Sequence, residues 1–547
     1  ADTRVPDTNN ATRGGGDSQA TKDTSDAFAA NAGPSLRGLV GDPIVLDGSA
    51  STGAISYEWF FGTGVGKSDT SDSPIAETTY NTPGRYQAVL TIRNALGQKR
   101  TDSVVVSITH PKTHTPHHSS SVIALGDSPP TFAVISRDGD TLTRIAWENG
   151  ALTDPLRVTT GDEPTSLSRN DDGLLAVVCR KDAVVQIWPE LLTGAPTDIP
   201  LSPRGLPYGV IPAPSGWYIT YEASGEVAHA VNGAIETVWP VIEDARHLAQ
   251  LPDGRIAVSR FRSTGSEGTI AVLDPDSGQV SLVSLTYDPQ IASDTEIGGI
   301  PNYLGPMLVS PTGLEAVLPS LQSNVGHGVW NNGIAFRPDT HVRAIASFLT
   351  LVPGVAERPA ERKQFDSRGL TMAGTFSQFG DFIYLAMRGS RAIERYDVLT
   401  QNQAGVVLDV GYAPDGISLA GNILAVDTTL SRELVLFDVG NHEGDFIEVA
   451  RAKTVDSEPL DPIILLGKQL FNDSFDDRLS LDGYMACAHC HLEGDTDNQV
   501  WDFTDRGEGL RNTISLIGRA GMGDGPLHWS ANFDELQDFE LDIRDFF

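Results

Sequence analysis

Pro164-Thr165-Ser166-Leu167-Ser168-Arg169-Asn170-Asp171-Asp172-Gly173-Leu174-Leu175-Ala176-Val177-Val178-Cys179 carries a proline-led extended run, an acidic turn ending in glycine, and a second run dense in apolar and β-branched residues. Proline and Asp-Gly punctuate the chain, and the runs between them are too short for helices, so the segment reads as consecutive strands. The order recurs at 207–231, at Leu251-Pro252-Asp253-Gly254-Arg255-Ile256-Ala257-Val258 and at 305–318. It recurs again at Phe379-Gly380-Asp381-Phe382-Ile383-Tyr384-Leu385 and from Ala413-Pro414-Asp415-Gly416 to 438. Anchors Pro164, Pro207 and His247 stand 43 and 40 residues apart, near the length of a four-stranded propeller blade. Six units are visible, and an irregular seventh is expected in 121–160. The wider middle spacing predicts insertions near 285–303 and 350–370. Residues 121–445 are therefore expected to form a seven-bladed β-propeller.

The stretch 318–328 is polar and glycine-marked, and is expected to be an inter-blade loop. His229, His247, His327 and His341 are scattered and are read as structural or surface residues. Cys179 ends an apolar strand and reads as a buried core thiol. The region resembles the lactonase-like (YVTN-type) propellers of bacterial surface proteins, although no propeller enzyme motif stands out.

Towards the N-terminus, residues 35–109 alternate short strands and turns, as in Tyr57-Glu58-Trp59-Phe60-Phe61 and Tyr86-Gln87-Ala88-Val89-Leu90-Thr91-Ile92. The pattern is that of an antiparallel β-sandwich. Leu46-Asp47-Gly48-Ser49-Ala50-Ser51, Trp59 with Phe61-Gly62-Thr63-Gly64, and Tyr80-Asn81-Thr82-Pro83-Gly84-Arg85-Tyr86 resemble the PKD domain, an extracellular spacer or binding module. Phe60 and Thr63 replace that family's acidic residues, so the resemblance implies the fold and not ion binding. Residues 1–34 are too poor in large apolar side chains to fold alone and read as a flexible leader. Residues 110–120 hold His110, His114, His117 and His118 among Pro, Thr and Ser, and read as a solvated linker.

After residue 455 the texture turns helical. Asp461-Pro462 opens a run with Ile463, Leu466, Gly467, Leu470 and Phe471 at helical spacing. Cys487-Ala488-His489-Cys490-His491 follows. Two thiols three residues apart on a helical turn can each bond one vinyl group of a single haem, and the next histidine then reaches the iron from the same face. One covalent haem c is therefore expected on Cys487, Cys490 and His491, with His491 as proximal ligand. His489 cannot fold back onto its own iron and is expected to be exposed or to face a neighbouring redox centre. His528 or Met522 are the candidates for the sixth iron position. Arg511 could pair with a haem propionate, or form an ordinary surface ion pair.

The order Gly467-Lys468-Gln469-Leu470-Phe471, Asp477-Arg478-Leu479-Ser480, the haem motif, Asp502-Phe503-Thr504-Asp505, Arg511-Asn512-Thr513 and Gly525-Pro526-Leu527-His528-Trp529 resembles the first (N-terminal) haem domain of the bacterial di-haem cytochrome c peroxidase family. The resemblance covers 455–547. It implies a c-type haem domain in which Trp529 lies towards a second haem. The family's second Cys-x-x-Cys-His does not occur in these 547 residues. A longer form, or another chain supplying the missing haem domain, is the implied completion. Ser530-Ala531-Asn532 stands where the family has Asp-Gly-Arg, so peroxidase activity does not follow from the resemblance.

The chain is multidomain and mainly β, ending in an α-helical cytochrome c-type domain. It has 39 basic against 72 acidic residues, a net charge of −33. That opposes nucleic-acid binding, which rests on phosphate contacts by Lys and Arg, and favours a basic redox partner. No run of apolar residues is long enough for a membrane span. Ala1 reads as a processed N-terminus, and c-type attachment places the protein in the periplasm, outside the cell or at its surface. The leading reading is an extracytoplasmic cytochrome in electron transfer or peroxidase-like oxidoreductase chemistry. The competing one is a cell-surface or assembly protein whose PKD and propeller domains bind partners, the haem domain being a docking or vestigial piece.

Overall fold

The protein is described by a computed structural model, covering residues 28–62, 68–71, 73–202, 205–289, 293, 296–440 and 444–518. The chain divides into two compact units, residues 1–110 and 111–547.

The first unit is a sandwich of a five-stranded sheet and a two-stranded sheet, Pro43–Asp47 with Ile75–Thr79. In the larger sheet Gly84–Arg93 and Lys99–Thr109 form the long central hairpin, and Leu36–Leu39 adds on in parallel. Alternation along the strands turns Leu46, Trp59, Leu90, Val104 and Val106 inward. The indole of Trp59 donates to the Pro74 carbonyl at 3.1 Å, and Tyr80 Oη donates to the Phe61 carbonyl at 2.9 Å, so both large polar aromatics are satisfied in the core. The expected leader boundary at 34 is too late. Ala29 bridges to Thr52, Ala32 is buried, and Phe28 and Ala30 pack on the core.

Seven sheets of the second unit follow in chain order as seven blades. They span Val122–Asp127 to Leu156–Thr159, Pro164–Arg169 to Thr197–Pro200, Pro207–Pro212 to Ala234–Pro240, Ala245–Gln250 to Val280–Leu285, Ile300–Asn302 to Lys363–Phe365, Thr371–Phe376 to Asn402–Val407, and Pro414–Ala420 to Ile447–Lys453. The last strand lies past the expected boundary at 445, because Ile447–Lys453 pairs with Glu433–Asp438 to complete the seventh sheet. Among the described residues, no sheet mixes strands from the two ends of the ring. Apolar packing closes it instead, with Val122, Phe132 and Ile145 against Ile423, Ala425 and Leu436. Arg432 bonds Asp138 at 2.9 Å across the same seam.

The first strand of each blade is innermost. In blades two, three, four, six and seven that strand carries a register shift near its start. A bulge re-aims the residue it frees. Thr165, Tyr208, Arg246, Met372 and Asp415 all sit at these shifts, and all line the cavity at one end of the central channel.

Residues 112–121 are not the solvated linker expected for 110–120. Thr113 N and His114 N donate to the Pro311 carbonyl, Gln250 N donates to His117 O, and His118 and Ser120 bridge to Ala249 and Leu167. The segment lies in the channel against the inner strands. Those strands are sheet edges with unpaired peptide groups, and a polar strand laid along them satisfies both partners. His118 is half-buried there, and its desolvation pushes its pKa down to about 4.

Blade five departs most from a simple unit. Its inner strand is split into Ile300–Asn302 and Leu308–Val309, and the hairpin Glu315–Ser323 with Val342–Thr350 is longer than its counterparts. The stretch 318–328 is thus largely strand within one blade, not an inter-blade loop. The residues between its arms, 324–341, reach the C-terminal segment.

Candidate haem-attachment site

The C-terminal segment starts with the helix Pro462–Asn472. The Asp461 side chain caps it by accepting from Ile463 N at 2.9 Å, and Pro462 occupies the first turn, where no backbone N–H is needed. Its polar side meets the propeller: Lys468 Nζ bonds Asp138 at 2.6 Å and Gln469 donates to the Leu430 carbonyl at 2.8 Å. Ile463, Ile464 and Leu466 are exposed among the described residues. Beyond it the described segment consists of one helical turn, Ala488–His491, 3-10 turns and the two-stranded ribbon Val500–Phe503 with Gly509–Asn512. It is less helical than the spacing predicts.

Cys487 is the N-cap of that turn, and His491 N donates to Cys487 O at 3.0 Å. The two thiols therefore stand one turn apart. Both are free: Cys487 is exposed and Cys490 half-buried. His491 is half-buried, and burial lowers its pKa, opposed by the adjacent Ile514 backbone. Its Nδ1 makes no hydrogen bond of good geometry among the described residues. Unpaired thiols at this spacing, followed by a half-buried histidine, fit thioether attachment and axial ligation.

Three contacts hold this turn on the propeller. His489 is buried, not exposed, and its pKa falls to about 4 because burial penalises the imidazolium. Its Nε2 accepts from Leu370 N at 3.1 Å, and its Nδ1 lies 2.9 Å from Ala486 N and 3.1 Å from Ala486 O. A Cβ on Gly369 or Gly389 would stand 2.8 Å or 3.0 Å from its ring, so these glycines permit the approach. Tyr303 Oη donates to Cys490 O at 3.0 Å and accepts from Leu492 N at 3.2 Å.

Glu493 makes the third contact. It adopts a left-handed backbone, φ 60°. Its carboxylate enters the channel mouth and accepts from Arg137 at 2.5 Å and Arg246 at 2.9 Å. Arg246 also bonds Glu222 at 2.6 Å, and Arg180 bonds the same Glu222 at 2.8 Å. Burial works to raise the Glu493 pKa, but Arg137, Arg246 and Arg180 override it and hold the carboxyl well below the usual range. Beneath lies a cavity of about 100 Å³, lined by His118, Tyr208, His247, Arg388, Asp415 and Asp427 among others. Asp427 is pushed up to about 7 by burial, with Ser121 and Thr429 donating to it.

The ribbon is held in turn. Trp501 is 1% exposed and its Nε1 donates to Asp497 Oδ2 at 2.9 Å. Trp330 N and Asn331 N donate to Asp502 Oδ2, and Phe336 N donates to Asp505, so the 324–341 excursion clamps the segment. Arg511 sits on the ribbon with its Nε 3.7 Å from the largely buried carboxylate of Glu508. Met522, His528 and Trp529 lie outside the described residues. Sequence reasoning missed Glu493, Tyr303, Arg137 and Arg246. Their one shared signal, polar residues flanking the haem motif or opening a blade, is too common to be noticed.

None of the curated proteins matches the chain. Among solved structures, hydrazine synthase of Kuenenia stuttgartiensis is 12% identical with a TM-score of 0.48, over 58% of this chain and 94% of that one. Apo AztD of Citrobacter koseri is 11% identical with a TM-score of 0.34, over 74% and 97%. The dihydro-heme d1 dehydrogenase NirN, in complex with DHE, is 14% identical with a TM-score of 0.39, over 67% and 71%. At these scores none of them bears on the site. The family matches are local: residues 27–108 match the PKD domain, and residues 462–541, at the C-terminal end of this chain, match the di-haem cytochrome c peroxidase, a cytochrome-type redox module.

Proposed function

We propose that this protein is an extracytoplasmic c-type cytochrome that carries one covalent haem and moves electrons from a basic donor protein. Cys487 and Cys490 would hold the haem and His491 its iron. When bound, the haem supplies one-electron chemistry at the iron and a place for peroxide to bind. The observation that carries the reading is the attachment turn itself: two free thiols one helical turn apart, followed by His491. His489, Tyr303 and Glu493 fix that turn against a rigid ring, so the chain need not reorganise when charge moves. The excess of acidic residues supports steering of a basic partner, an effect that weakens with salt.

Stopped-flow oxidation of a reduced, small basic cytochrome by the haem-loaded chain tests this. The expected rate falls steeply between low and physiological ionic strength. No oxidation at any ionic strength contradicts the reading. With peroxide as acceptor, turnover below that of an ordinary peroxidase is expected, because the ferrous haem gives one of the two electrons and the other must come from another group of the chain or from the donor. Turnover of about hundreds per second, at the upper range of ordinary enzymes, would show that this chain is itself a competent peroxidase.

A further inference from the structure

We infer that Trp501, hydrogen-bonded to the buried carboxylate of Asp497, is a redox-active residue that supplies the second electron when peroxide is reduced at this haem. The inference rests on the proposed haem function and adds to it a residue outside the attachment motif.

Trp501 belongs to the apolar cluster that includes Ala488, Leu492 and, at its edge, Cys490, and the consecutive residues Asn302 and Tyr303 hold Asp497 O and Cys490 O. Its only polar atom donates to Asp497 Oδ2. Asp497 is 0% exposed. Its other oxygen accepts from Gln499 N at 2.9 Å, and Asn302 Nδ2 holds its backbone carbonyl at 3.0 Å. The pair is thus fixed from both sides. No cation bonds Asp497 among the described residues; burial raises its pKa to about 6, which makes it a ready proton acceptor. An indole that loses an electron becomes strongly acidic, and a buried carboxylate on its N–H can take the proton without solvent moving. Trp59, by contrast, donates to the Pro74 carbonyl, a group that cannot take up the indole proton in this way.

The step balances. Trp501 N–H and Asp497 carboxylate become a neutral indolyl radical, a carboxylic acid and one electron. Hydrogen peroxide takes that electron, one from ferrous iron, and two protons from solvent, and leaves as two waters. The basic donor then returns two electrons, one to the haem and one to Trp501, and Asp497 returns the proton.

Rings continue outward from Trp501. Phe336 is 6.2 Å and His341 6.4 Å away, centre to centre, and Phe336 packs on Phe503 at 5.1 Å. The neighbouring excursion carries Trp330, 72% exposed. Trp330 serves as the comparison tryptophan.

The test is electron paramagnetic resonance of the haem-loaded full chain, reduced and then frozen after one equivalent of hydrogen peroxide. The pyridine haemochrome spectrum of the same sample reports haem content separately. A protein-centred radical near one spin per haem is expected, narrowed when the chain is grown with ring-deuterated tryptophan. Trp501→Phe should lose it at least fivefold, and Trp330→Phe should keep it. Asp497→Asn keeps a hydrogen-bond acceptor but cannot take the proton, and should also lose the neutral radical at least fivefold. If Trp501→Phe does not fold, the Asp497→Asn result decides. Full haem with no radical in the native chain, or an unchanged radical in these variants, overturns the inference. No haem at all overturns the proposed function instead.

Discussion

Replacing Glu493 by Gln probes how firmly the attachment turn is held. The carboxylate accepts two charge-assisted hydrogen bonds, from Arg137 at 2.5 Å and Arg246 at 2.9 Å, and its side chain is 23% exposed. Glutamine retains one neutral acceptor. Both arginines keep other anions, Glu163 for Arg137 and Glu222 for Arg246, so neither is stranded. The loss is that of two charged bonds exchanged for one neutral bond, about 2–3 kcal/mol. In local opening that is about 30- to 150-fold. Hydrogen exchange of the haem-loaded chain, followed in peptides covering 484–503, reads it directly. The depressed pKa of Glu493 makes its contribution fully present above the ordinary carboxylate range, and lost only as pH falls through the depressed value. The gap between wild type and variant should therefore be constant from pH 5 to 8. Asp253→Asn, which breaks a largely exposed pair with Arg255, should cost at most about 0.5 kcal/mol. A change below about threefold in 484–503 would refute the idea that Glu493 pins the turn.

Other outcomes follow from the same geometry. Gly369→Ala puts a Cβ 2.4 Å from Ser474 Oγ and 2.8 Å from His489 Nε2; thermal unfolding should report a loss of about 1–3 kcal/mol. Asp427 has its pKa raised to about 7, so the folded state holds a proton that the unfolded chain has already released above pH 4. Its contribution is therefore unfavourable and grows from pH 4 to 7; denaturant titrations should show Asp427→Asn gaining on wild type across that window, by a few kcal/mol at most.

The blades were legible because their second strands are long apolar runs between Asp-Gly turns, as in Leu174–Cys179 and Ile256–Arg260. Blade five hid its excursion at 324–341. Its inner strand breaks at Tyr303, in a left-handed conformation no local pattern announces, and its excursion at 324–341 has loop composition. Residues 112–121 have the composition of a solvated linker, and polar side chains suit water and a polar channel equally. His489 was misjudged for a similar reason. Nothing in Cys-Ala-His-Cys-His tells that the middle histidine meets two glycines, Gly369 and Gly389, more than ninety residues away. The proposed attachment turn was legible because it is local, written in spacing alone. Its hold on the propeller is not local, since Glu493 meets Arg137 and Arg246 only when the ring has closed.

The central claim is that Cys487, Cys490 and His491 carry one covalent haem. Its most direct measurement is the haem content of the chain, produced by export in a host with c-type maturation, after acid-acetone extraction. The account predicts one haem per chain resisting extraction, with a pyridine haemochrome spectrum of thioether-linked haem, and none in the Cys487→Ser, Cys490→Ser double variant. A native chain that emerges from extraction without haem, or a double variant that retains it, would contradict the account.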